Sequence, residues 1–67
     1  MSEHQAVAVI KSVLHSNGYN KSDAVTLAST IATLYTNNQS AVVAKYGNDE
    51  FDALENLTLD YLKNEVH

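Results

Sequence analysis

Asp23-Ala-Val-Thr-Leu-Ala-Ser-Thr-Ile-Ala-Thr-Leu-Tyr-Thr36 is the stretch on which the fold class turns. Its threonines, with Val25 and Ile31, are β-branched, and such side chains weaken a helix and suit a strand. A strand over residues 25–36 would make the chain α+β. Strict alternation of apolar and polar residues fails, however, at Ala28-Ser29-Thr30, and a lone strand would have nothing to pair with. On a helical wheel Ala24, Leu27, Ala28, Ile31, Ala32, Leu34 and Tyr35 share one broad face, and Thr26, Ser29, Thr30, Thr33 and Thr36 lie opposite. The stretch therefore reads as a helix, with Ser22 or Asp23 as its N-cap.

Working outward, Asn37-Asn38-Gln39-Ser40 is a run of four polar residues that predicts a break. A short helix over about 40–46 follows, capped by Ser40 and closed by Gly47. One continuous helix over 23–46 is the alternative, because Val42 and Tyr46 fall on the same wheel face as Ala24, Ala28 and Tyr35. Upstream, Ser2 with Gln5 three residues on makes a capping box. Ala6, Val7, Val9, Ile10, Val13 and Leu14 then fall in an arc of about 160°. Asn17-Gly18 ends that helix, with glycine suited to the left-handed C′ position and Tyr19 to the hydrophobic contact beyond it. Downstream, Asn48 or Asp49 caps a last helix, whose stripe is Phe51, Leu54, Leu57, Tyr61 and Leu62. The prediction is an all-α fold: a small three- or four-helix bundle, with helices about 2–16, 23–37, 40–46 and 49–65, in one domain over 1–67.

Composition sets the remaining bounds. At 67 residues, with 45% apolar and 18% charged residues, the chain can build one small core. It has no cysteine, which excludes a disulfide framework and a thiolate metal site. Good helix packing or oligomerisation must then supply the stability. No apolar run approaches a membrane span, and no basic start followed by an apolar stretch marks a signal peptide, so a cytoplasmic location is expected. The formal charge is −4. Over residues 1–47 it is +1, from Lys11, Lys21 and Lys45 against Glu3 and Asp23; over 48–67, six acids against Lys63 leave −5. Four scattered lysines and no arginine argue against binding nucleic acid or an anionic membrane.

Few residues suggest chemistry. Asp49, Glu50, Asp52 and Glu55, with Asp60 beyond them, could form an acidic surface for a basic partner. Acids in a first helical turn also complement the macrodipole and cap free N–H groups, which accounts for Asp49, Glu50 and Asp52 without a partner. Calcium would need ligands at alternate positions around a central glycine, a pattern that is absent. His4 and His15 share a polar face but stand about 16 Å apart along a helix, too far for one metal. His67, at the chain end, is expected to be mobile. No nucleophile motif or phosphate loop occurs, so no catalytic, cofactor or metal residue is assigned.

The second helix carries the sharpest feature. Ala24, Ala28 and Ala32 recur every four residues, a line along which another helix could come close, and the hydroxyl face beside it carries no charge. Ala24, Ala28, Ser29, Ala32, Thr33 and Thr36 form the candidate interface with a second copy of the chain. The competing account makes this the central helix of the monomer, with hydroxyls bonded back to carbonyls one turn earlier. Gly18-Tyr19, Ala24, Asn37-Asn38 and Ala41-Val42 look a little like the pattern of ubiquitin-associated domains, three-helix modules that bind ubiquitin through a Gly-aromatic loop. The second segment is too long for that pattern, the spacing after the asparagines too short, and a fourth helix follows. No site residue carries over. The sequence thus reads as a small non-enzymatic interaction protein that self-associates through its second helix. An acidic regulator docking in a basic groove through its last helix is the alternative.

Overall fold

The computed structural model describes residues 1–65; His67 lies outside them, and so does Val66. Four helices and no strand occur among the described residues: α1 (Glu3–Ser16), α2 (Lys21–Asn37), α3 (Gln39–Tyr46) and α4 (Glu50–Glu65). The all-α expectation holds, and the contested stretch 25–36 is helical throughout.

Local chemistry sets each boundary. The Ser2 hydroxyl accepts from the Gln5 N–H at 3.2 Å, and Gln5 Oε1 accepts from the Ser2 N–H at 3.0 Å, completing the capping box of α1. At its far end Gly18 takes φ +89°, its N–H bonding the His15 carbonyl and the Tyr19 N–H the Leu14 carbonyl, each at 3.1 Å. This pair of bonds is a Schellman motif, and it folds Tyr19 back against the core. The chain re-enters helix at once. Asn20, and not Ser22 or Asp23, caps α2: its Oδ1 accepts from the Asp23 N–H at 2.8 Å. Asp23 takes the third helical position, where its carboxylate accepts the Asn20 amide at 3.2 Å.

The break after α2 is a single residue. Asn38, at φ −133° and ψ 34°, ends α2 and begins α3. Its side-chain amide donates to the Leu34 carbonyl at 2.9 Å, satisfying an acceptor that the interrupted helix would leave open. Ser40 therefore lies inside the first turn of α3 and caps nothing. Gly47 closes α3 at φ +102°, as expected. Asp49 Oδ1 then accepts from the N–H groups of Phe51 and Asp52 at 3.0 and 3.1 Å, which starts α4.

The core is narrow and rich in alanine. α1 supplies Ala6, Ile10 and Leu14, and α2 supplies Ala24, Ala28, Ile31, Ala32 and Tyr35. Val42 comes from α3, and Ala53, Leu54 and Thr58 come from α4. α1 and α2 make the most extensive pairing; α4 touches all three other helices. One expected core residue is not there. Phe51 is 63% exposed. The buried line of α4 runs through Ala53, Leu54 and Thr58, which turns Phe51 to the flank of the helix. The radius of gyration, 10.9 Å, equals the value of about 10.9 Å expected for a compact chain of this length. No described helix is long and apolar enough to cross a membrane.

Candidate functional site

The two candidate surfaces divide along lines the sequence does not show. In the α2 set, Ala24, Ala28 and Ala32 have no accessible surface at all. The three alanines are buried within the chain itself, on the helix whose most extensive pairing is with α1. Ser29, Thr33 and Thr36, in contrast, are exposed. Thr26, Thr30 and Thr33 donate to the carbonyls of Ser22, Thr26 and Ser29 at 3.3, 3.3 and 2.9 Å. That is back-bonding to carbonyls one turn earlier in the same helix. Ser29 and Thr33 line a shallow cleft with Glu3, His4 and Val7 on α1.

The acidic set does not form one surface. The Asp49 carboxylate is held by backbone N–H groups. Glu50 Oε1 lies 3.0 Å from the Met1 ammonium. Asp60 sits on the opposite flank, facing α3: its carboxylate accepts the Tyr46 hydroxyl, and Lys45 Nζ lies 3.7 Å away. Burial raises the Tyr46 hydroxyl above its ordinary pKa, and the bond to Asp60 adds to the shift. Tyr35 is raised likewise, by burial first and by the nearby Glu50 charge second. Asp52 and Glu55 are exposed and have no cation within ion-pair distance among the described residues.

On the same helix, just before these two acids, stands Phe51, which the apolar stripe of α4 predicts for the core. Phe51 follows Glu50, precedes Asp52 and lies one turn before Glu55. It forms one wall of an open groove of about 490 Å³ between α1 and α4, lined by Met1, Gln5, Ala8, Val9, Glu50 and Phe51. The available signal was position: an aromatic in the first turn, bracketed by acids, is remote from the middle of the stripe.

The histidines stay apart. His4 lines the α1–α2 cleft, and His15 is exposed one turn before the Schellman glycine. No cluster of three His, Asp or Glu suited to a metal occurs among the described residues. Side-chain hydroxyls of Ser16, Thr26, Thr30, Thr33 and Thr58 all donate to backbone carbonyls, which is structural work. Against known proteins, the chain matches no family model, no curated sequence and no solved structure.

Proposed function

We propose that this chain is a non-enzymatic protein-interaction module that engages a basic surface of another protein through the first half of α4. The observation that supports the reading is Phe51, 63% exposed and followed on the same helix by the exposed carboxylates of Asp52 and Glu55, which have no cation within ion-pair distance among the described residues. A large aromatic ring in water is uncommon on a helix with a formed core, and aromatics are enriched where proteins bind one another. We also propose a cytoplasmic setting, since a chain without cysteine draws nothing from an oxidising compartment. The test is affinity capture with two baits, the natural chain and an Asp52→Lys/Glu55→Lys variant. A partner held by the first, released by salt and lost from the second is the expected result. Equal capture by both baits would overturn it.

A second reading rests on a different observation. The exposed face of α2 carries five hydroxyl residues, Thr26, Ser29, Thr30, Thr33 and Thr36, with no charge between Asp23 and Lys45. Such a face can be covered by a second copy without desolvating a charge. Light scattering over a wide concentration range decides it. A dimer that Thr33→Glu splits supports self-association through α2, and a strict monomer ends that reading.

A further inference from the structure

The junction between α2 and α3 is fastened more weakly than the other helix ends. A capping box and a Schellman motif close α1, Asn20 caps α2, and the Asp49 carboxylate starts α4. No side chain caps α3. Asn38, at its N-cap position, turns its amide back to the Leu34 carbonyl, and the first backbone bond of α3 runs from the Val42 N–H to the Asn38 carbonyl at 2.9 Å. The N–H groups of Gln39, Ser40 and Ala41 thus have no acceptor in the chain, and the carbonyls of Thr36 and Asn37 have no donor. Nothing in the sequence enforces the break. Neither glycine nor proline lies between Gly18 and Gly47, and Asn38 needs no positive φ. In a straight helix from Lys21 to Tyr46 the three free amides would bond the carbonyls of Tyr35, Thr36 and Asn37. Val42 and Tyr46 would continue the line of Ala24, Ala28 and Tyr35. Straightening gives up little, because α2 and α3 make the least extensive pairing of the fold.

α3 and α4 would move as one piece. The Tyr46 hydroxyl bonds Asp60, Lys45 Nζ lies 3.7 Å from the same carboxylate, and α3 pairs more extensively with α4 than with α2. Their new position follows from the helix geometry. Glu3 and Thr33 line one cleft, so α1 begins level with Thr33, and α4 begins against Met1. Tyr46 of a straight helix would lie about 20 Å beyond Thr33. Straightening therefore draws α4 away from α1 of its own chain and leaves each without the other's cover. The surface that fits each of them is the same element of a second copy, because it remakes contacts the fold already contains. A short hinge of this kind favours exchange. We propose that the chain opens at Asn38 and that two copies exchange their α3–α4 halves, forming a dimer in which Lys21–Tyr46 is one continuous helix. Each α1–α4 groove is then built from two chains, with Glu50 of one opposite the Met1 ammonium of the other. This dimer differs from one made through the hydroxyl face of α2, which leaves every helix on its own chain.

The experiment compares the natural chain with Asn38→Ala and Asn38→Gly, each held concentrated near its melting temperature and then cooled. Light scattering reads the mass. Hydrogen exchange reads the junction, and isotope-filtered contacts in a mixture of labelled and unlabelled chains read the pairing. The expected product is a dimer that separates from the monomer and reverts slowly on dilution. In it the amides of Gln39, Ser40 and Ala41 are protected, whereas in the monomer they exchange freely, and contacts between α1 and α4 run from one chain to the other. Both substitutions fall at an exposed position and remove the bond to Leu34, so they differ chiefly in helix propensity. That difference is about fivefold per hinge, so the association constant of Asn38→Ala should exceed that of Asn38→Gly roughly 25-fold. A strict monomer in all three chains would overturn the proposal. So would a dimer in which amides 39–41 stay unprotected, in which α1–α4 contacts lie within one chain, or which forms equally well in both variants. Thr33→Glu, which splits a dimer made through the α2 face, should leave the exchanged dimer whole; a dimer that it splits is a side-by-side pair and refutes the exchange. Partner capture through Asp52 and Glu55 is read separately, so either reading can fail while the other stands.

Discussion

Thr58 is a polar side chain with no exposure, and its hydroxyl donates to the Leu54 carbonyl at 2.7 Å. The helix already satisfies that carbonyl through its own i→i+4 bonding, so the hydroxyl's own need for a partner is what the contact serves. Replacing it by a methyl of the same shape removes that need along with the donor. Thr58→Val should therefore leave stability within about 1 kcal/mol or raise it, whereas Thr58→Ala opens a cavity and should cost about 1 kcal/mol or more. Urea midpoints of the two variants separate these outcomes. Thr58 and Phe51 are the two residues of α4 whose roles the wheel reverses, one polar and buried, the other aromatic and exposed. A hydropathy stripe ranks residues by type, and it is blind to which neighbour lies opposite. Phe51 lines the open groove between α1 and α4, where nothing covers its ring enough to bury it.

At the scale of the elements, most of the fold was legible because the punctuation is strong. Ser2 with Gln5, Gly18 before Tyr19, and Gly47 before Asp49 each marks a boundary where the structure has one. What was not legible is how tight the connections are. Asn20 and Asn38 are as good as Asp23 and Ser40 by residue type, so type alone does not choose among them, and each sits where the chain actually turns. The two glycines are predicted to differ. Gly18 is needed for a left-handed C′ residue, and nothing lies within 4 Å of an added Cβ, so Gly18→Ala should cost only the backbone penalty of about 1 kcal/mol. Gly47 has φ +102° with ψ 177°, a region populated almost only by glycine, and Gly47→Ala should cost about 2 kcal/mol despite equally open surroundings. Thermal unfolding of both variants checks the order. Equal costs would show that the α3–α4 connection relaxes to another geometry.

For the molecule as a whole, the alanine line of α2 sets how the small core is closed. Ala24, Ala28 and Ala32 are fully buried, and α1 and α2 make the most extensive pairing of the fold. The sequence showed that a helix could approach this line but not which one, because α1 and a second copy present the same kind of apolar face. Ala28→Leu therefore acts on folding: overpacking should cost about 1–3 kcal/mol. That corresponds to a lower melting temperature by roughly 4–8 °C per kcal/mol in a domain of this size, with the solution mass unchanged. A variant whose mass falls while its melting temperature holds would restore the alanines to an interface.

The tyrosines make the fold sensitive to alkali. Tyr35 is almost fully buried, and the Tyr46 hydroxyl ties α3 to α4 through Asp60. Both hydroxyls have pKa values raised above 10.0 in the folded chain, burial being the larger cause for each. The folded state thus holds these protons more tightly than the unfolded state does. Linkage then fixes the sign. The contribution is fully present below pH 10, where both states are neutral, and it is lost as pH rises through the folded values. Melting temperature should be flat with respect to these two groups from pH 7 to about 9.5 and fall steeply above 10. Tyr46→Phe removes one hydrogen bond to a partly exposed carboxylate, so it should cost about 1 kcal/mol at pH 7. It should also make the alkaline fall shallower, because one of the two shifted protons is gone. Lysines that deprotonate in the same range are common to both proteins and cancel in the difference. An alkaline profile identical in the natural chain and in Tyr46→Phe would mean that the α3–α4 tie through Asp60 does not persist in solution.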